Sequence, residues 1–337
     1  MHRKVLRFSV HDFEDDILAV SSVCVEPLPL LGTMGYSKGD SIPVYHFSGP
    51  IVRDDLPSQM RKKLYEGLID FMDEELRKRR VLHVTIRIWD PWFGPTYFGP
   101  WTNAGYRIQR YHTYMYAVPR DESQINEKYA GSFRREIKQG LQRAGTVEAN
   151  PTIDSEKIYE LYLLSMTEAG VYPRYSQEEI TFVLNWGNNL RDLYICRYEG
   201  KPIGFAISLK FNKTAIYWLA GMDRNFARIR PANLIADEFI RHSLGRGVRA
   251  IDFGGANTEG LAHFKASIGA DPKPTFQLTK YYCTTLPLKL GLQPILKLPG
   301  AKEMVKKKMS LLRRGLQSSF SGPVQSFGKD FVQARKG

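Results

Sequence analysis

Apolar and polar residues follow two different periods along the chain, which predicts a protein built from both helices and strands. From residue 56 to 80 apolar residues recur every three or four positions, the period of a helix with one buried face. Residues 81–88 instead alternate and are rich in β-branched side chains, as in a strand. Further strands are predicted at residues 42–47, 111–118 and 145–149, and a basic helix at residues 123–144.

The pattern after residue 150 predicts a second cycle of helices and strands. Helices are predicted at 155–169, 178–190, 231–245 and 261–267, and strands at 192–198, 203–210, 214–220, 250–253 and 275–282. This succession predicts the α/β class, with a mixed sheet and helices on both faces. Residues 91–105 are rich in Pro, Gly and aromatic side chains and are predicted to be an irregular loop, which either lines an acceptor pocket or fills core.

The length of 337 residues exceeds that of most single cores and predicts more than one domain. We predict an N-terminal domain at residues 1–148, which includes the basic helix, and a C-terminal domain at residues 149–285. The tail, residues 286–337, carries eleven Lys and Arg against two acidic residues, so +9 of the net charge of +13 lies there. Within it, residues 301–316 have the pattern of a basic amphipathic helix. This helix either contacts an anionic membrane, packs on the body or belongs to a flexible tail.

Several classes of protein are disfavoured by the composition. There is no run of 18 apolar residues, which predicts no transmembrane helix, and the start of the chain does not resemble a secretory signal. The three cysteines are far apart and fit neither a disulfide framework nor a metal site. We therefore expect a cytoplasmic protein without a bound metal, and residues 301–316 raise the alternative of peripheral contact with the inner face of the membrane.

Three strings of residues carry a more specific signal through their order and spacing. They are Phe133–Gly145 (FRREIKQGLQRAG), Tyr217–Asp223 (YWLAGMD) leading to Arg230-Pro231, and Ile251–Gly255 (IDFGG), followed nine residues later by Phe264-Lys265. Together they resemble the FemAB family of peptidoglycan-bridge ligases, whose two domains both have the acetyltransferase fold called GNAT. The resemblance covers roughly residues 40–285. It implies two tandem GNAT-like acyltransferase domains and transfer of an acyl or aminoacyl group onto an amine of a cell-envelope precursor.

Two catalytic residues are expected, Lys265 from the resemblance and Asp252 from its position at the end of a predicted strand. Lys265 would stabilise the charge that develops during transfer, although a lysine at such a position is also compatible with an ordinary solvated helix residue. Asp252 would orient the amine or accept a proton, but a strand-terminal aspartate is equally suited to capping the turn at Gly254-Gly255. Phe264 would lie beside Lys265 in the substrate cleft.

The resemblance also implies residues that bind substrate. Arg174 would bind the diphosphate of a nucleotide-linked precursor, with Tyr175 as its neighbour. The alternative for Arg174 is a surface ion pair. Arg230 precedes a helix whose N-terminus is suited to an anion, and Tyr217 belongs to the second of the strings.

No tightly bound cofactor is expected, and the acyl donor stays open between aminoacyl-tRNA and acyl-CoA. The glycine-rich pyrophosphate pattern of ordinary GNAT enzymes is absent around residues 224–233, while the coiled-coil arm of some FemAB members is absent too. The acceptor would be a small-molecule or lipid-linked amine. One alternative is an N-acyltransferase of polysaccharide or specialised-metabolite biosynthesis that uses acyl-CoA or an acyl carrier. Another is a non-catalytic protein that binds anions or membranes.

Overall fold

The structure is a computed structural model that describes residues 4–27, 36–40, 50–53, 55–89 and 98–282. The chain divides into a compact unit, Met1–Lys280, and a second unit, Tyr281–Gly337, of which Tyr281 and Tyr282 are described. The predicted strand at 42–47, part of the aromatic loop and the basic segment 301–316 lie outside the described residues. Among those described, no helix has the length and apolar character needed to span a bilayer.

The helices and strands follow the periodicity of the sequence closely. The strands are β1 (Lys4–His11), β2 (Ile17–Pro27), β3 (Ser37–Asp40), β4 (Ile51–Val52), β5 (Val81–Trp89), β6 (Arg107–Ala117), β7 (Thr146–Ala149), β8 (Arg191–Tyr198), β9 (Lys201–Phe211), β10 (Thr214–Met222), β11 (Ala250–Asp252) and β12 (Asp271–Tyr281). The helices are α1 (Ser58–Lys78), α2 (Phe98–Asn103), α3 (Ser123–Lys128), α4 (Gly131–Gln142), α5 (Ser155–Glu168), α6 (Gln177–Leu184), α7 (Pro231–Gly245) and α8 (Glu259–Ser267), with a 3-10 turn at Arg224–Ile229.

Three predicted elements differ from the structure. The single helix predicted at 123–144 is two helices, α3 and α4, because Tyr129 adopts an extended backbone between them. The helix predicted at 178–190 ends at Leu184, and the loop predicted at 91–105 contains α2. Trp101 of that loop is fully buried and its indole Nε1 donates to the Tyr65 hydroxyl at 2.8 Å, so this residue fills core rather than lining a pocket.

The described strands form one mixed sheet, in which a strand from each sequence half lies among the strands of the other half. The order is β1-β2-β3-β5-β12-β6-β11-β10-β9-β8-β7, with β4 beside β2. In each half two strands that are separated by a helix pair in parallel: β3 with β5 across α1, and β10 with β11 across α7. Strand β6 of the first half pairs with β11 of the second half, while β12 of the second half lies between β5 and β6. Two halves therefore share one sheet.

Helices cover both faces of the sheet, as the sequence predicted. Successive residues of a strand point to opposite faces. In β8, Tyr194 and Cys196 belong to a core cluster with α4 and α7, whereas Leu193 and Ile195 belong to a second cluster with α5 and α6. We call the first the α7 face and the second the α5 face. The mixed α/β prediction is confirmed.

Candidate active site

The candidate site begins where the parallel strands β10 and β11 stop pairing. Their register runs from Thr214 opposite Ala250 to Ile216 opposite Asp252, and β11 ends there. Beyond this point β10 contains a bulge between Tyr217 and Leu219, which disrupts regular pairing and increases the local twist. The ends of strands in α/β sheets are frequent places for ligands, because loops that leave them can present backbone and side-chain groups.

Asp252, the last residue of β11, accepts hydrogen bonds from residues of both sequence halves. Its side chain is 2% exposed, and its Oδ1 accepts a hydrogen bond from Thr113 Oγ1 of β6. The same oxygen accepts from the backbone N–H of Gly254 at 2.7 Å, so the carboxylate also caps the turn, as the alternative interpretation expected. Burial raises the pKa of the Asp252 carboxyl, and the hydrogen bonds and the charge of Lys265 offset that effect only in part.

The turn after Asp252 needs glycine. Gly254 has φ +73°, a left-handed conformation that side chains with a Cβ rarely adopt. A Cβ on Gly255 would lie 3.1 Å from the carbonyl oxygen of His112 in β6. These two glycines therefore let the loop cross close over β6 with its carbonyl groups turned toward α8.

Lys265 of α8 reaches this loop with its amine. The Nζ atom donates to the carbonyl oxygens of Gly254 and Gly255 at 2.9 and 2.5 Å and lies 5.8 Å from the centroid of the Tyr114 ring. The residue is 5% exposed, which differs from the solvated lysine that the sequence left open as an alternative. Burial lowers the pKa of the Lys265 amine to about 8, and the carboxylate of Asp252 opposes this effect.

The helix that carries Lys265 is fixed at its N-terminus and along one side. Thr258 caps α8, its side chain accepting from the backbone N–H of Leu261. Phe264 is partly buried against the α7-face core, with its ring centroid 6.0 Å from that of Phe133 in α4. Phe264 is thus a packing contact between α8 and the basic helix α4.

Arg174 and Tyr175 lie on the α5 face of the sheet. The hydroxyl of Tyr162 accepts from both of their backbone N–H groups, at 2.6 and 3.2 Å, which fixes the loop before α6. Tyr175 is buried beside Trp218, with ring centroids 5.0 Å apart, whereas Arg174 is exposed. Asp252 shares this face, because it is paired with Ile216, which packs against the same core.

The structure adds Arg87 of β5 to these residues. Burial lowers its pKa, the positive charge of Arg174 adds to that effect, and Tyr175 also interacts with it electrostatically. Its Nε donates to Gln277 of β12 at 3.4 Å. Sequence reasoning missed Arg87, which continues the alternation of His83 and Thr85 along the strand and so did not stand out from its polar positions. It also missed Thr113, for which no local signal exists.

The last two predicted residues, Tyr217 and Arg230, lie on the α7 face. Tyr217 packs its ring between Phe239 and Phe253, each with centroids 5.5 Å away, and burial raises the pKa of its hydroxyl. Arg230 has a left-handed backbone (φ +58°) just before α7, and its Nη1 lies 3.7 Å from Oε1 of Glu136 in α4. The structure thus groups Lys265 with Asp252, and Arg174 with Tyr175 on the same face as Asp252, while Tyr217 and Arg230 lie elsewhere.

Comparison with known proteins identifies the fold. Residues 131–266 match the family described as acetyltransferase (GNAT) domain, a span that starts with α4 and ends within α8. No curated protein sequence matches the chain. Within the described residues, no group of three or more His, Cys, Asp and Glu side chains could hold a metal ion.

Solved structures extend the likeness over most of the chain. A crystal structure of FemX is similar with a TM-score of 0.62 at 13% identity, over 86% of this chain and 90% of that one. The C-terminal domain (DUF2156) of a putative lysylphosphatidylglycerol synthetase from Agrobacterium fabrum gives 0.55 at 11%, over 81% and 84%. A tandem GNAT protein from the clavulanic acid biosynthesis pathway gives 0.52 at 13%, over 84% of each chain. The chain therefore has a tandem GNAT-like fold, which confirms that prediction.

Proposed function

We propose that this protein transfers an acyl or aminoacyl group onto an amine of a cell-envelope precursor. The observation that carries the proposal is the buried Lys265 amine, which lies at the end of β11 with a pKa of about 8. The fold shared with FemX and with the C-terminal domain of a putative lysylphosphatidylglycerol synthetase supports it, since the second protein is named for a product in which lysine is attached to a phospholipid. The acetyltransferase family match at residues 131–266 supports acyl transfer more generally.

The reaction requires the protein mainly to position the two substrates and to stabilise the charge that develops on the carbonyl oxygen. The neutral amine of the acceptor attacks the carbonyl carbon of the donor, a C–N bond forms, and the bond from carbon to the donor's oxygen or sulfur breaks. Negative charge collects on the carbonyl oxygen in between, and the attacking nitrogen loses a proton to a base or to the leaving group. One well-placed donor to such an oxygen is worth about 3 kcal/mol in mutational studies of other enzymes.

Lys265 is suited to the role of that donor. An ammonium has three N–H groups, and two of those of Lys265 are committed to the carbonyls of Gly254 and Gly255. These bonds fix the direction of the third group, which would point to the carbonyl oxygen of the donor. A pKa near 8 keeps most of the amine protonated at neutral pH while making it a stronger hydrogen-bond donor than an ordinary lysine.

Asp252, Arg174 and Arg87 would bind and orient the acceptor. Asp252 is buried, has a raised pKa and shares the α5 face with Arg174, so it would orient the incoming amine or take its proton. Arg174 and Arg87 place two positive charges near each other on that face, which suits the phosphates of a small-molecule or lipid-linked precursor. Tyr175 lies next to both arginines and would contact the same ligand.

A second candidate function is N-acyl transfer from acyl-CoA, which the acetyltransferase family match favours. The two candidates differ in the donor and share the roles of Lys265 and Asp252. Calorimetry with acetyl-CoA separates them: heat of binding at micromolar ligand supports the second, and its absence supports an aminoacyl-tRNA donor.

The proposed chemistry is tested by transfer of a labelled donor. The wild type is compared with Lys265→Ala and with Lys213→Ala, an exposed lysine in the turn between β9 and β10, using aminoacyl-tRNA and acetyl-CoA in parallel reactions. We expect loss of about two orders of magnitude in turnover for Lys265→Ala and no change for Lys213→Ala. Unchanged turnover in Lys265→Ala, with circular dichroism equal to that of the wild type, would remove the role of Lys265.

A further inference from the structure

The first turn of α7 is a place where a protein of this architecture would bind an anion. The N-terminus of a helix carries a partial positive charge and usually presents unpaired N–H groups, but here Pro231 has no N–H and the N–H of Asn233 donates to the carbonyl oxygen of Arg230. Arg230 precedes the helix and Asn233 lies in its first turn, so a cation and an amide donor are added to the backbone. A nucleotide-linked acyl donor would be expected to place a phosphate here.

The chain places one of its own carboxylates at this position. Glu136 of α4 accepts a hydrogen bond from Asn233 Nδ2 at 2.8 Å, and its other oxygen lies 3.7 Å from Arg230 Nη1. Asn233 is 6% exposed, so its amide depends on this contact for a partner. Glu136 therefore supplies the negative charge that the helix N-terminus and Arg230 would otherwise take from a ligand.

The chain from α4 to Gly145 packs directly against the 3-10 turn and the start of α7. A Cβ on Gly140 would lie 2.7 Å from the carbonyl oxygen of Ile229, and a Cβ on Gly145 would lie 2.7 Å from Leu234 Cδ1. Arg143 Nη1 also donates to the carbonyl oxygen of Arg228 at 2.5 Å. Helix α4 and the residues that follow it are thus in direct contact with the 3-10 turn and with the start of α7, which holds Glu136 beside Arg230 and Asn233.

We infer that Glu136 is an internal anion that fills the phosphate position at the N-terminus of α7 and determines donor specificity by excluding a nucleotide diphosphate there. The acyl donor of this protein is then one that is not held by its phosphates at α7. This inference concerns binding and is independent of the proposed roles of Lys265 and Asp252, so its tests use no transfer assay.

The first test is anion rescue of Glu136→Ala. Removing the carboxylate leaves a space beside Arg230 and Asn233 that acetate or formate would fill. We expect sodium acetate to raise the Tm of this variant by about 2 °C or more relative to sodium chloride of equal ionic strength, with no such difference in the wild type. The matched control is Glu148→Ala, which removes a carboxylate from a surface pair with Arg197. Equal responses of all three proteins to acetate would overturn the inference.

The second test uses the wild type and Arg230→Ala, with no substitution at Glu136. Coenzyme A and inorganic pyrophosphate are titrated into the wild-type protein, and no heat of binding is expected for a phosphate at α7. If either ligand binds the wild type and the binding is lost in Arg230→Ala, the position is an available phosphate site and the inference is wrong. Binding that persists in Arg230→Ala places the ligand elsewhere and leaves Glu136 as the internal anion.

Discussion

The low pKa of Lys265 predicts an unusual dependence of stability on pH. The amine has an ordinary value of 10.5 when the chain is unfolded and about 8 when it is buried. At pH 7 both states carry the proton, so the folded state bears the full cost of a buried charge, which the difference between the two values puts at about 3 kcal/mol. Between pH 8 and 10.5 the folded state loses the proton first. The unfolded state then binds more protons, and the free energy of unfolding rises with pH by up to that amount.

The perturbation that isolates this contribution is Lys265→Met. Methionine has a similar length and no charge, so the variant lacks the rise while other titrating groups are the same in both proteins. The assay is urea unfolding followed by tryptophan fluorescence from pH 7 to 10.5, and the quantity is the difference in unfolding free energy between wild type and variant. We expect this difference to change by about 3 kcal/mol in favour of the wild type as pH rises.

The control is Lys213→Met, which removes an exposed lysine, and its difference curve should be flat over the same range. If the Lys265→Met curve is equally flat, the amine titrates normally and is solvated in the folded protein. Such a result would rule out a buried ammonium at the end of β11 and, with it, the proposed role of Lys265 in transfer.

Three further predictions follow from the packing. Gly140→Ala should destabilise the protein by about 1–3 kcal/mol in urea unfolding, because the new Cβ would clash with the backbone of Ile229. The control Gly67→Ala in α1, where no atom lies within 4 Å of the new Cβ, should stabilise the protein by about 0.5–1 kcal/mol. Equal effects of the two substitutions would contradict the close approach of α4 to the 3-10 turn. Asp252→Asn should lower the pKa of Lys265, measured by NMR of its side chain, because the carboxylate raises it; an unchanged pKa would mean that the two charges do not interact. Residues 1–148 and 149–337, produced separately, should fold only when mixed, since each provides a strand beside the other's sheet; cooperative unfolding of either fragment alone would argue against this.

Much of the local structure could be predicted from the sequence. The helical period of residues 56–80 and the alternation of residues 81–88 predicted α1 and β5 to within two residues at each end, because burial of one face imposes those periods. The hairpin between β8 and β9 and the start of α7 at Pro231 followed from turn and capping preferences. The nearness of Asp252 to Gly254 was also local, because only Phe253 separates the two residues.

Only the tertiary structure could decide the exchange of strands. The sequence predicted two successive units and identified β5 to β12, but it missed β1 to β4, and the residues of a strand do not specify which strands pair with it. Placing β12 between β5 and β6 depends on long-range pairing. The domain boundary near residue 148 remains a prediction, since a shared sheet does not divide at a point in the sequence.

The chemical state of the candidate site was likewise beyond the sequence. The family resemblance singled out Lys265, but its pKa depends on removal from water, which the loop of Gly254 and Gly255 and the packing of α8 produce together. Thr113 lies 139 residues from Asp252, and Glu136 lies 97 residues from Asn233. The sequence determined which groups were present and their local conformation, while desolvation and contacts across the chain, which arise only on folding, decided what those groups can do.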